Sequence, residues 1–137
     1  MEAVKRIVET AWLGCLWAVG YLAAPALFAV LDNRALAGQT AGYLFHRVTL
    51  LSLACAAFLI ALPPAGRPRR VYRIIALAIV VLLAANEWGV RPWMDSARLA
   101  DGTPGPDFGM RHGVSAVVYL VASLLGVALL AVRTRSD

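Results

Sequence analysis

No charged side chain occurs between Thr10 and Leu31, a stretch made mostly of Leu, Ala, Val, Trp and Phe. A membrane-spanning helix needs about 20 predominantly apolar residues at a rise of about 1.5 Å each, and this run supplies them. Three further charge-free runs follow, at Val48–Gly66, Ile74–Asn86 and Gly113–Val132. The apolar character of the second begins earlier, near Ala37. The third covers only about 20 Å as a helix, so it spans only if the helix continues through Glu87 and Arg91 towards Trp93. The pattern predicts an all-α integral membrane four-helix bundle in a single domain, 1–137. Its helices are expected at about 7–31, 36–62, 71–93 and 111–132.

Composition supports the same class. Apolar residues make up 61% of the chain and charged residues 15%, whereas soluble domains carry nearer a quarter charged. That excludes a water-soluble domain, and two cysteines exclude a disulfide scaffold. The thirteen Lys and Arg are scattered between apolar runs and do not form a nucleic-acid-binding face, so a bilayer is the expected partner and nucleic acid is not.

Breakers fall where turns are required. Asp32-Asn33-Arg34 separates the first two helices, Pro63-Pro64-Ala65-Gly66-Arg67-Pro68 the second and third, and Asp101-Gly102-Thr103-Pro104-Gly105-Pro106 the last two. Pro92 to Ala100 has the makings of a short interfacial turn with Trp93, Met94 and Leu99 on one side. No clear internal repeat is visible. Lys5 and Arg6 precede the first run and Ala35-Leu36-Ala37 resembles a cleavage site, but the run exceeds the 7–15 residues of a signal-peptide core, so cleavage is not expected.

With four spans, the N-terminus, the second loop and the C-terminus share one side. That side carries Lys5, Arg6, Arg67, Arg69, Arg70, Arg73, Arg133 and Arg135 against Glu2, Glu9 and Asp137, a net charge of +5. The other carries Arg34, Arg47, Arg91, Arg98 and Arg111 against Asp32, Glu87, Asp95, Asp101 and Asp107, a net charge of zero. The excess of Lys and Arg marks the cytoplasmic face, so both termini are expected in the cytoplasm and the chain in the inner membrane.

Small residues set how closely helices approach in lipid. Gly38 and Gly42 form a GxxxG step at the head of a seam that continues through Phe45, Thr49, Ser52 and Ala56, and Ala122 and Gly126 form a similar step on the fourth helix. The seam serves either packing within the bundle or a homodimer. Pro25 removes a helical hydrogen bond and is expected to kink the first helix.

Counting back from the basic ends of the helices places His46, Arg47, Asn86, Glu87, Arg91, Arg111 and His112 at similar depth near the outer boundary. Ionisable groups in lipid normally pair inside the bundle or line a wet cavity, and Glu87 and Arg91 stand i, i+4 in the favourable order. Two readings are open. The arginines snorkel to headgroups beside an aromatic belt of Tyr43, Trp88 and Trp93, or the cluster forms an outward-opening polar pocket for a small anion, a lipid headgroup or a metal. In the pocket reading, Glu87 pairs with Arg47, Arg91 or Arg111. His46 and His112 then face one another, and with Met94 and Met110 they are candidate ligands for copper or haem. Cys15 and Cys55 read as small apolar residues. The nucleophile-elbow, phosphate-loop, zinc-protease and dinucleotide motifs are absent, and Ser115 beside His112 lacks a third partner, so catalysis is not expected.

Gly20-Tyr21-Leu22-Ala23-Ala24-Pro25-Ala26-Leu27-Phe28, followed by Leu31, Ala37-Gly38 and Leu44-Phe45, resembles the signature of the transmembrane protein 205-like family. Arg91-Pro92-Trp93-Met94 and Arg111-His112-Gly113-Val114-Ser115 extend the likeness, although that family tends to show an apolar residue where Arg111 stands. The resemblance implies a four-helix membrane fold and no assigned activity. A looser similarity runs to copper-resistance protein D-like membrane proteins, which are linked to copper or haem. The expected role is binding or moving a small ligand, or serving as an accessory subunit. Redox or metal handling, and helix docking through Gly38 and Gly42, are the alternatives.

Overall fold

A computed structural model describes residues 1–132. Arg133 and Arg135, which close the fourth apolar run, lie outside the described residues, as do Ser136 and Asp137. Four helices run up and down: α1 (Glu2–Val30), α2 (Arg34–Ala61), α3 (Arg69–Asp95) and α4 (Phe108–Ala131). All four are long and apolar enough to cross a membrane. No strand occurs among the described residues; the α3–α4 connection holds only a bridge between Arg98 and Pro104.

Local chemistry sets the ends. Asn33 caps α2, its side-chain oxygen accepting from the Leu36 amide at 3.0 Å, as a short polar residue does for an orphan N–H. Gly66 supplies the positive φ of 75° that turns the chain into α3. Two ends differ from expectation. α1 starts at Glu2 because Glu2 and Lys5 pair at i, i+3 (2.6 Å), which supports helix through the charged head. α3 carries on through Arg91–Asp95, so the first part of the expected interfacial turn is the end of a spanning helix.

α1 and α3 share a distortion. Each contains a π-helical turn, Val19–Ala23 and Asn86–Val90, and each is followed at once by proline, Pro25 and Pro92. In α1 the Ala24 amide reaches back to the Val19 carbonyl, and in α3 the Arg91 amide reaches back to Asn86. The next amide in each helix would be proline, which has none. The carbonyls of Gly20 and Glu87 therefore lose that donor. The proline consequence is thus a widened turn, a recognised route to a kink.

The shared distortion belongs to a repeat that the sequence did not reveal. Pro25 and Pro92 are 67 positions apart, and the same shift carries the buried Glu9, Trp12 and Leu16 of α1 onto the buried Ala76, Ile79 and Leu83 of α3. A shift of 70 carries the buried Thr49, Ser52, Ala56 and Leu59 of α2 onto the buried Tyr119, Ala122, Gly126 and Leu129 of α4. The bundle is two similar helical hairpins. Few residue identities coincide, so only the burial pattern and the prolines betray it.

Packing is tight at the centre and apolar outside. Trp12, Leu13, Leu16, Leu59, Tyr72, Ile79, Leu83 and Leu129 are fully or almost fully buried. Leu22, Val30, Ile74, Leu77, Val81, Val117, Leu124 and Val127 are exposed on the outer faces, an arrangement that suits lipid and not water. A Cβ on Gly126 would stand 3.0 Å from Leu13 Cδ2, and one on Gly20 only 2.3 Å from Tyr119 Cε1. Those glycines let α1 and α4 close on one another.

Candidate functional site

At the end of the bundle away from the termini, an open groove of about 510 Å³ lies between α2 and α3. Gln39, Tyr43 and His46 line it from α2, and Glu87, Arg91, Pro92 and Asp95 from α3. Glu87 is its buried member, 9% exposed, and it sits in the π turn two helical turns in from Asp95. Arg91 donates from Nη1 to Glu87 Oε1 at 2.6 Å, and His46 Nδ1 lies 2.8 Å from the same oxygen. A carboxylate at this depth needs such partners. Arg91 Nε also stands 3.8 Å from Asp95 Oδ2, while Arg98 Nε donates to Asp95 Oδ1 at 3.0 Å.

Gly42 and Gly38 have an unexpected role. A Cβ on Gly42 would stand 2.7 Å from Arg91 Nη2 and 3.3 Å from its Cζ. A Cβ on Gly38 would lie 3.5 Å from Arg98 Nη2. The GxxxG step thus faces two guanidinium groups of the second hairpin, not the backbone of another helix. Arg91 reaches Glu87 because α2 has no side chain at Gly42.

Of the seven residues expected to share a pocket, the structure brings three into the groove: His46, Glu87 and Arg91. Arg47 is exposed, with its guanidinium 4.8 Å over the Tyr43 ring. Arg111 bonds the Trp93 carbonyl at 2.6 Å and Ser96 Oγ at 2.7 Å, with its guanidinium over the Trp93 ring. Asn86 is half-buried, and its Oδ1 has no partner among the described residues. His112 is exposed and stacks on Phe108 at 6.0 Å, outside the groove. The two histidines therefore do not meet there: His46 turns inward to Glu87, while the Phe108 ring, itself under Arg98 at 4.4 Å, holds His112. Met110 is exposed and Met94 half-buried, and neither lines the groove. No group of three or more His, Cys, Asp or Glu side chains is arranged to hold a metal among the described residues. Cys15 is exposed and Cys55 half-buried, both as free thiols.

The opposite end holds a polar cluster that sequence reasoning passed over. Glu9 is 3% exposed, and Arg67 lies 3.3 Å from its Oε2. The same guanidinium donates to the carbonyls of Leu129 (3.1 Å), Leu130 and Val132, at the C-terminal end of α4. One side chain thus answers orphan carbonyls and the negative end of the helix dipole together. A cavity of about 300 Å³ adjoins it, lined by Arg6, Glu9, Thr10 and the loop 64–67. The missed signal was spacing: Glu9, Trp12, Leu13 and Leu16 fall at i, i+3, i+4 and i+7. That places Glu9 on the buried face.

A family model described as a domain of unknown function, DUF4149, matches residues 7–102. The match covers well over half of the chain. The chain belongs to the DUF4149 family. All residues lining the groove, and both Glu9 and Arg67, fall within the DUF4149 segment, whereas α4 lies beyond it. No curated protein and no solved structure matches the chain.

Proposed function

We propose that this DUF4149 chain is a multi-pass membrane protein whose α2–α3 groove binds the polar head of a membrane amphiphile. The observation that carries the reading is Glu87: a carboxylate nine-tenths buried in a spanning helix, yet lining a groove open at the side of the bundle. A purely structural ion pair gains nothing from an adjoining polar groove. A ligand headgroup does, because Tyr43, Gln39 and Asp95 surround it with hydrogen-bonding groups at the edge where acyl chains end. The likeness to the transmembrane protein 205-like family sits well with this reading, since it implies the four-helix fold and leaves the activity open.

The copper or haem reading has less support. His46 is engaged with Glu87 and His112 with Phe108, and the likeness to copper-resistance protein D-like proteins rests on short motifs. Docking of another helix through Gly38 and Gly42 is also less favoured, because arginine side chains cover those positions. The excess of Lys and Arg on the termini side supports a reading with both termini in the cytoplasm and the groove on the outer face of the inner membrane.

Native mass spectrometry after detergent extraction tests the groove. Wild type is expected to retain co-purifying amphiphile, and the double variant His46→Leu/Glu87→Leu to release it. Equal retention by both folded proteins overturns the reading.

A further inference from the structure

We infer that the groove selects a primary ammonium group, R–NH3⁺, rather than an anion. The inference rests on the amphiphile-binding reading above and names the chemistry of the bound head. Its basis is the charge balance of the groove lining and the carboxylate oxygens left unoccupied in it.

The one guanidinium lining the groove already pairs with a carboxylate. Arg91 gives Nη1 to Glu87 Oε1, turns Nε towards Asp95 Oδ2, and has Nη2 seated against Gly42. His46 meets the same Glu87 oxygen through Nδ1. A carboxylate oxygen only accepts, so Nδ1 carries the hydrogen.

Carboxylate oxygens remain unoccupied. Both bonds to Glu87 fall on Oε1. Oε2 takes none from the described residues and, unlike Asn86 Oδ1, is not sealed from solvent. Asp95 Oδ2 has only the 3.8 Å ion pair, beyond hydrogen-bond reach, on a side chain 44% exposed. The peptide oxygen of Glu87 has lost its helical donor to Pro92. An incoming anion would meet two carboxylates, Glu87 and Asp95, against the single guanidinium of Arg91 that lines the groove. An ammonium carries three N–H donors and one positive charge, and the unoccupied carboxylate oxygens of Glu87 and Asp95 line the same groove to receive it. A quaternary ammonium has the charge without the donors. That difference separates hydrogen-bonded recognition from bulk attraction.

The same chemistry is presented by an ethanolamine-type lipid headgroup and by a free alkylamine. The full chain in nanodiscs is equilibrated with an ethanolamine-headgroup phospholipid and with a choline-headgroup phospholipid of identical acyl chains. Octylammonium is added as a competitor, and bound lipid is read by native mass spectrometry. Wild type is expected to favour the ethanolamine lipid by about tenfold, the scale of one charge-assisted hydrogen bond. Glu87→Gln should reduce the preference to within about twofold, and Asp32→Asn in the α1–α2 turn should keep it. His46→Gln, which leaves Glu87 in place, should weaken it. Displacement by octylammonium identifies a free amine as a sufficient ligand, and failure of displacement identifies the lipid. Equal holding of both lipids by wild type, or an undiminished preference in folded Glu87→Gln, overturns the ammonium inference while leaving amphiphile binding intact. If neither lipid nor amine is held, both readings fall.

Discussion

Gly42 shows how much one missing methyl group decides. Arg91 occupies the space a Cβ would take, so Gly42→Ala is expected to push the guanidinium tip off Glu87 and destabilise the bundle by about 1.5–3 kcal/mol, the scale of a hydrogen bond to a charged group. Thermal unfolding in detergent checks this against Gly113→Ala, where nothing stands within 4 Å of the added carbon and no loss is expected. Asp101 is a residue-scale device of another kind. The hydroxyl and amide of Thr103 donate to its Oδ1 at 2.6 and 2.9 Å and hold its carboxyl below the usual carboxylate range. A folded-state value below the unfolded one contributes order above the ordinary range and loses it as pH falls through the lowered value. The Thr103 amide resonance should therefore hold its position down to about pH 4 and move only below it. Movement at neutral pH would contradict the assignment.

At the scale of elements, the two hairpins have diverged at one matching position. Glu87 in the second π turn corresponds to Gly20 in the first, and there the Tyr119 ring fills the space. Tyr119 also donates to the Leu16 carbonyl at 2.6 Å, one turn below the first π segment. The first hairpin therefore packs where the second presents a carboxylate. The α2–α3 loop contributes in a different way, because Arg67 ties it to α4 and to Glu9. Arg67→Met should leave Glu9 buried without its partner and cost about 3 kcal/mol, the lower bound for breaking a buried pair. Hydrogen exchange at the Val132 amide, which bonds Ala128, should quicken. Glu9→Leu added to Arg67→Met should restore most of the stability, since removing both charges leaves no orphan. A double variant no more stable than Arg67→Met alone would show that the loss came from the carbonyl contacts.

For the whole molecule, four helices able to span return the chain to the side it started from, and we propose from the charge asymmetry that this side is cytoplasmic. In a Cys15→Ser/Cys55→Ser background, Gly102→Cys is expected to react with an impermeant thiol reagent in intact cells, and Ser136→Cys only after lysis. The reverse pattern would invert the orientation and put the groove on the cytoplasmic side. The same bundle explains why the chain carries so few charges in its spans and still holds Glu9 and Glu87. Each carboxylate sits near one end, each has an arginine beside it (Arg67 of the α2–α3 loop for Glu9, Arg91 one turn on in α3 for Glu87), and the dry centre of Leu16, Ile79 and Leu83 lies between them.

Helix number, approximate ends and the place of Glu87 near the end of the third span-capable helix were legible in the chain, because hydropathy and rise per residue act along a single helix and need no neighbour. The pairing of Glu87 with Arg91 was half legible, since i, i+4 spacing is also local. What faced what was not. Gly38 and Gly42 read as a helix-contact motif until the second hairpin brought Arg98 and Arg91 against them. His112 read as a partner for His46 until Phe108 took its ring. Glu9 read as one more terminal charge until the fold buried it under Arg67. These outcomes depend on the rotation of each helix about its own axis. That rotation is settled by packing four helices together, where one glycine, one proline-widened turn or one ring decides which side chain meets which.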